Sequence, residues 1–412
     1  MRILYFHQHF STPKGATGIR SYEMAKALVA KGHQVTMVCG SYKGGNTGIA
    51  VPFSNGKRQG LVDGIEVIEF ELDYANEQSF LKRTTTFLSF AFKSIKVALT
   101  AKYDLLFATT TPLTAALPGI FAKILRRKPF VFEVRDLWPE LPKAMGVISN
   151  PIILAAMGAL EWIAYKLADA HIALSPGIEQ GIVRHLSATY QSRNDIALIP
   201  NGCDIDIFSQ AEAHWQPEQI ENDDFVAIFS GTHGIANNLN SVLDVAAKLK
   251  INDIKQVKII LIGQGKLKEQ LKARAENEHL DNVIFLEPVN KQKLAQLMKR
   301  ADVGLQVLAD IPAFYYGTSP NKFFDYISAS LPVINNYPGW VADLINSHHC
   351  GIAVKANDPE SFAQALITLS EDRVLHKKMS DNAFTLASAQ FSRSLLAEKF
   401  VAQLEKVAYK NA

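Results

Sequence analysis

Cysteine is scarce in this chain: three residues in 412, and Cys39, Cys203 and Cys350 lie far apart with no ligand spacing. That excludes a disulfide framework and a zinc site, and it fits a reducing compartment. Long apolar runs are missing too, with no stretch of about 18 uninterrupted apolar residues to cross a membrane. The nearest, Pro151 to Leu174, carries Glu161, Lys166 and Asp169 and reads as a helix followed by a strand. The opening residues, MRILYFHQHF, form a buried-strand pattern without the apolar core and cleavage site of a signal peptide. Excess charge is small, +3, so nucleic acid is not an implied partner. Low-complexity tracts and close repeats are absent. The expected location is the cytoplasm, with peripheral attachment to the inner face of the cytoplasmic membrane.

What is present is a globular composition, 48% hydrophobic and 20% charged. The length suits two domains of about 200 residues each. Short apolar runs of strand length recur at Ile3–Phe6, Val35–Cys39, Ile65–Phe70, Leu105–Ala108, Phe130–Val134, His171–Leu174 and Ala197–Ile199. A second set comprises Phe225–Phe229, Val257–Ile262, Val283–Leu286, Gly304–Val307, Val333–Ile334 and Ile352–Val354. Helical spacing fills the gaps: in Ile19–Lys31 the residues Ile19, Tyr22, Ala25, Leu28 and Val29 share a face, and Gly32 supplies the left-handed stop. Alternating strands and helices in two sets predict an α/β protein with two Rossmann-like, doubly wound domains. The expected divisions are 1–200, a hinge over 201–224 where Pro200, Gly202 and Pro217 bracket an acidic segment, 225–390, and a last helical stretch in 391–412 packing back on the first domain. Ligands of such sheets bind outside the carboxyl ends of the strands, which directs attention to the residues there.

Two stretches at those ends carry chemistry. In FSGTHGIANNLN, Gly231, Thr232, His233 and Gly234 follow a strand and precede a helical pattern. Small residues there let backbone N–H groups approach an anion, and a helix N-terminus adds partial positive charge. No Gly-Lys-Ser/Thr follows and the third glycine of a dinucleotide fingerprint is missing, so an ordinary β-α turn is the alternative. In TSPNKFFDYISASLPVI, Ser319 and Pro320 can start a helix at Asn321, which puts Lys322 in its first turn and Asp325 on the same face. Such a lysine can neutralise phosphate oxygens, and such a carboxylate can accept both hydroxyls of a ribose. The alternative is a surface ion pair between the two, worth little. His7 and His9, ending the first strand, are weaker candidates for contacting sugar or acceptor.

Charge is unevenly spread. Between Phe80 and Phe130 stand Lys82, Arg83, Lys93, Lys96, Lys102, Lys123, Arg126, Arg127 and Lys128 against one acid, Asp104. Within SFLKRTTTFLSFAFKSIKVALTAK, the residues Lys82, Arg83, Phe87, Phe90, Lys93 and Lys96 predict a helix lying on an anionic bilayer, the alternative being an ordinary domain helix.

Several of these stretches resemble the retaining glycosyltransferases of family 4. PNKFFDYISASLPVI resembles their PSK-[LF]-[YF]-E-Y-[ML]-A-A-G-[RK]-PVI stretch, GTHGIANNL looks like their phosphate loop, and IPNGCDIDIF is similar to their P-N-G-V-D-x-x-x-F hinge. LIGQGKLKEQL with NVIFLEPVNKQKLAQLMKRADVGL resembles the nucleotide-binding region, and EVRDLWPE the D-L-W-P segment of the first domain. The nearest subgroup is the bacterial one that builds O-antigen and capsule, including the fucosamine transferases.

The resemblance implies a GT-B fold, two Rossmann-like domains facing each other across a cleft, with a nucleotide-sugar donor and no metal. It places Gly231, Thr232, Gly234 and Lys322 at the donor diphosphate, Asp325 at the ribose, and backbone near Val289 at the base. Gly15, Thr17 and Gly18 correspond to a glycine-rich loop reaching the distal phosphate, and Arg135 and Asp136 to a strand end facing the transferred sugar. Asp204-Ile-Asp206 imitates a metal-binding Asp-x-Asp but falls in the hinge motif and is set aside. There are departures: Gly317 stands eight before Asp325 where many relatives have glutamate, Ser330 replaces a glycine, and Arg135 replaces a histidine.

The implied reaction is retaining, metal-independent transfer of a sugar, an N-acetylated 6-deoxy amino sugar being one candidate, from a UDP-sugar to a polyprenyl-diphosphate-linked saccharide. Lys322, Asp136 and Arg135 would be the catalytic groups. The competing expectations are a non-hydrolysing UDP-sugar epimerase and a non-catalytic nucleotide-sugar-binding protein.

Overall fold

The computed structural model describes residues 1–15, 17–75, 78–186, 195–210 and 215–410. They form two compact units: Met1–Pro200 with Gly317–Ser319 and Ser394–Ala412, and Asn201–Tyr316 with Pro320–Arg393.

The first unit holds strands β1 (Arg2–Phe6), β2 (Gln34–Gly40), β3 (Lys57–Val62), β4 (Ile65–Phe70), β5 (Leu105–Thr109), β6 (Phe130–Val134), β7 (Ala170–Ala173) and β8 (Ile196–Leu198). They form one sheet in the order β3-β4-β2-β1-β5-β6-β7-β8. Neighbours run parallel, Tyr5 lying opposite Met37 and Phe107, except that β3 is antiparallel to β4. β3 is the strand that the apolar pattern misses. KRQGLV has no buried face to encode, being an edge strand with Lys57 and Arg58 at its start, and the Asp63-Gly64 turn, both residues at positive φ, folds it onto β4.

Helices α1 (Arg20–Ala30), α2 (Phe80–Thr100), α3 (Leu117–Arg126), α4 (Glu140–Ala144), α5 (Pro151–Leu167) and α6 (Pro176–Leu186) connect these strands. β5 and β6 are buried along their whole length because helices cover both faces of the sheet.

The second unit carries helices α7 (Ile205–Ser209), α8 (Asn240–Ile251), α9 (Lys268–Asn277), α10 (Lys291–Arg300), α11 (Pro312–Gly317), α12 (Asn321–Ser328), α13 (Trp340–His348), α14 (Pro359–Glu371) and α15 (Arg373–Gln390). Its strands are β9 (Phe225–Ser230), β10 (Val257–Ile262), β11 (Val283–Leu286), β12 (Val303–Gln306), β13 (Val333–Asn335) and β14 (Gly351–Ala353), in the all-parallel order β11-β10-β9-β12-β13-β14. That is the doubly wound Rossmann order, and its strand progression reverses between β9 and β12. The segment from Asn201 belongs to this unit: Cys203 donates its N–H to the Phe391 carbonyl at 2.7 Å and Phe208 enters the core. The final helix, α16 (Arg393–Lys410), packs Phe400 against Tyr5 and Phe107 of the first unit. Ser330 adopts φ 60°, so the left-handed turn that a glycine would make easily persists with a serine in it.

Helix α2 corrects one expectation. Phe90 is fully buried against Phe70, so it cannot face a bilayer, and Phe87 is half-buried against Tyr74 and His9. Lys93 lies over the Phe70 ring. The helical period turns these positions onto the sheet and turns Phe80, Leu81, Leu88 and Phe92 outward beside Lys82 and Lys96. Among the described residues no helix is long and apolar enough to cross a membrane.

Candidate active site

In the second unit the loop after β9 runs along the loop after β10. Gly231 donates its N–H to the Ile262 carbonyl and His233 to that of Gln264, both at 3.0 Å, while the His233 carbonyl accepts from Leu267. The contact is backbone to backbone: a Cβ on Gly263 would overlap the Gly231 carbonyl oxygen, and one on Gly265 would overlap the His233 main chain. These bonds occupy the Gly231 and His233 amides, leaving those of Thr232 and Gly234 outside this network. Gly263→Ala is therefore expected to push the two loops apart, lowering the unfolding free energy by about 1–3 kcal/mol as overpacking does. A thermal-melt midpoint below the parent's would show the loss.

Two details of this loop differ from expectation. His233 points inward, its ring fully buried near Phe229 and Phe285 with neither nitrogen bonded, and burial pushes its pKa down to about 4. Its ring packs the inside of the loop, so a donor would meet the main chain here before the imidazole. The helix also starts later: a 3-10 turn, Ile235–Asn237, and Asn238 at φ 43° precede α8 at Asn240. The positive end of α8 is thus displaced from Gly234, and the fixed charge at the loop comes from a side chain.

That side chain is Lys322. In the first turn of α12, it is half-buried beside Gly231, with Nζ 2.7 Å from Asn237 Oδ1 and 4.6 Å from the Phe229 ring centroid. Asn237 is held in turn by donating to the Thr232 carbonyl at 2.8 Å. No carboxylate pairs with Lys322 in the described structure, and burial lowers its pKa to about 7. An uncompensated cation, a bare loop and the point of strand reversal coincide here, as an anion site requires.

Asp325 turns the other way, so the surface Lys322–Asp325 pair does not form. It is buried, and its Oδ1 lies 2.6 Å from Lys291 Nζ at the start of α10. Burial pushes its carboxyl up, against the opposing pull of Lys291. Asp204, set aside as a metal ligand, is the second partner of Lys291 at 2.9 Å and also pairs with Arg393 at 2.8 Å. Among the described residues no group of three or more His, Cys, Asp or Glu side chains is placed to hold a metal ion. Tyr326, next in α12, joins the two central strands, accepting from the Ser230 N–H and donating to the Leu305 carbonyl. Ser319 lies in the segment just before α12, and Val289 is half-buried against the core of the second unit. Asn237 and Lys291 had no local signal in the sequence, since each matters only through a residue far along the chain.

In the first unit the candidate residues gather at the carboxyl ends of β1 and β6. Gly15 lies tightly against Ser11 and the Asn46 amide, Thr17 shares a 2.6 Å hydrogen bond with the Tyr42 hydroxyl, and Gly18 is exposed. Arg135 is knitted into the sheet edge: Nε donates to Thr109 Oγ1 at 2.7 Å and to Glu133, and Nη2 to Ser21 at 2.8 Å. Asp136 accepts from Thr111 at 3.0 Å, and burial raises its pKa in spite of that bond. His7 is buried and His9 half-buried among Tyr42, Tyr74 and Phe87. Burial, helped by the Arg135 charge, takes His9 down to about 4 and His7 well below its usual range. Burial thus favours the neutral form of both rings, which suits contact with an uncharged group.

Known proteins fit this architecture. Residues 15–202 match the family described as glycosyl transferase 4-like domain, and residues 210–385 match glycosyl transferases group 1. An uncharacterised glycosyltransferase of Methanocaldococcus jannaschii is 21% identical over 295 residues, 70% of this chain and 72% of that one. Sucrose-phosphate synthase from Thermosynechococcus elongatus superposes with a TM-score of 0.74 at 15% identity, covering 100% of both chains. HepE of Anabaena, solved in complex with UDP and glucose, gives 0.67 at 18% identity over 98% of this chain and 100% of its own. The fold is GT-B. The chain belongs to the glycosyltransferases.

Proposed function

We propose that this enzyme transfers a sugar, with retention and without a metal, from a UDP-sugar to a polyprenyl-diphosphate-linked saccharide of a bacterial surface polysaccharide. The observation that carries the donor half is Lys322, a half-buried lysine beside the Gly231 loop with no carboxylate partner among the described residues. In this reading Lys322 and the Thr232 and Gly234 amides meet the negative charge that grows on the departing diphosphate. The C1–O bond to the phosphate breaks while the acceptor oxygen bonds to C1 on the same face. The acceptor proton passes to the leaving phosphate, and Asp136 orients sugar or acceptor. Fixed donors placed where charge develops are often the largest catalytic contribution. UDP is favoured by the motif resemblance and by the likeness to HepE.

A thermal melt with UDP, GDP, ADP and NAD, without divalent metal, tests the donor half. Stabilisation by UDP is expected. A shift with GDP alone would change the donor, and a shift with NAD alone, or none, would overturn the reading of Lys322.

Support for a lipid-linked acceptor comes from the outer surface of the first unit. The connections bearing α2, α3 and α5 all step the same way along the sheet, so right-handed crossovers put them on one face, with α2 against α3 and α3 against α5. Exposed there are Leu81, Phe92, Ile124, Leu125, Ile152 and Trp162, beside Lys82, Lys96 and Arg127. Exposed apolar and cationic side chains on one helix layer complement an anionic bilayer, at roughly 1 kcal/mol per nearby cation. The protein is expected to float with liposomes containing anionic lipid, and the Leu81→Asp/Phe92→Asp double variant to stay at the bottom. Sedimentation of the parent protein with every lipid composition would count against docking.

A further inference from the structure

Lys291 occupies a place that local preference argues against. It is the first residue of α10, where a cation opposes the helix dipole. What holds it there is a pair of carboxylates. Its Nζ lies 2.6 Å from Asp325 and 2.9 Å from Asp204, with all three side chains almost buried. Asp204 is clamped from its far side by Arg393, which also donates to the Gly202 carbonyl at 2.8 Å. Two acids and two bases thus form one neutral chain ending at Asp325.

Resting on the reading of Asp325 as the ribose-binding carboxylate, we propose that Lys291 is a positioning residue for the donor. It holds Asp325 as a charged, correctly turned acceptor for both hydroxyls of the nucleotide ribose, and Asp204 and Arg393 fix Lys291 in turn. The groups facing Asp325 are Lys291 from α10, Asp204 and Cys203 ahead of α7, Arg393 at the start of α16, and its neighbour Tyr326. Removing Lys291 leaves two carboxylates near each other with Arg393 as the remaining cation. Burial already drives the Asp325 carboxyl upward. Without the lysine protonation becomes easier, and a protonated carboxyl must donate from one oxygen, so it no longer accepts from both hydroxyls.

The test compares UDP with 2′-deoxy-UDP, whose lost hydroxyl reports on Asp325. The parent enzyme is expected to bind UDP about 10-fold more tightly, the worth of a charge-assisted hydrogen bond. Lys291→Met should lose much of that preference and recover it as pH rises, and Lys291→Arg should keep it. A Lys291→Met enzyme with the parental ratio at every pH would overturn the proposal, however much its overall affinity fell. Asp325→Asn separates the two levels. If it leaves the ratio unchanged, the ribose reading itself fails; if it abolishes the ratio while Lys291→Met does not, only the role of Lys291 fails. Should Lys291→Met not fold, Lys291→Gln, which keeps a polar atom in the same space, carries the same comparison.

Discussion

Replacing Lys322 by alanine is expected to lower kcat at saturating donor by about 10²–10³, the loss of ~2.7–4 kcal/mol typical of one preorganised charge donor. The size follows from the surroundings. The amine is half-buried, is hydrogen-bonded to Asn237, and among the described residues has no carboxylate to share its charge with. Its interaction with a phosphate is therefore not discounted by a competing partner.

The same lysine sets a pH dependence. Burial brings its pKa to about 7, against an ordinary value of 10.5. Between those values the unfolded chain binds a proton that the folded one does not, so this group makes the unliganded protein more stable as pH rises through that window. A bound diphosphate favours the charged amine. UDP binding should then take up a proton above about pH 7 and weaken as pH rises further. Calorimetry in two buffers of different ionisation heat measures that uptake, and the Lys322→Ala variant should lose it. Unchanged turnover in Lys322→Ala would remove the electrostatic role altogether.

The second large effect is on stability and lies in the first unit. Arg20→Met is expected to lower the unfolding free energy by ~3–5 kcal/mol, the usual result of removing one partner of a buried ion pair. Arg20 is 2% exposed and donates to Glu133 Oε2 at 2.8 and 3.1 Å. It also donates to the carbonyls of Ile199 and Pro200. Glu133, itself fully buried, accepts further from Thr109 and Arg135. Burial pushes the Glu133 carboxyl up, but the two arginines outweigh it and hold the group below the usual carboxylate range. A depressed folded pKa contributes stability above the unfolded value that is lost as pH falls through the folded one. Arg20→Met should therefore shift the urea midpoint most above about pH 5 and less in acid, where the parent has lost part of the pair's contribution as well. A midpoint within error of the parent at neutral pH would show that the two carbonyls and Glu133 find other partners.

The glycine-bearing loop and the lysine of α12 were legible because their signals are local. A strand-length apolar run, small residues in the turn after it and a helix-start pattern specify the carboxyl end of a parallel strand without knowledge of its neighbours. The inward turn of His233 was not legible, since the sequence sets a loop residue's spacing but not which way the loop faces. Phe90 was misread for a related reason. Apolar residues occur all round α2, and only the packed sheet, through Phe70, decides which of them is covered. β3 escaped because an edge strand with no fully buried residue has little apolar alternation to show.

The deepest division concerns Asp325. Its presence one turn after Lys322 is a property of the sequence, and so is the possibility that the two pair. Its actual partner, Lys291, is 34 residues away, and the partner of that lysine, Asp204, lies in a segment expected to be a hinge. The order of elements, the two Rossmann-like halves and the positions at the strand ends follow from periodicity and turn chemistry, which act over a few residues. Which charges are paired, and which one is left uncompensated for a ligand, follows from distances of a few ångströms across the chain in a poorly screened interior. Only the tertiary structure sets those distances.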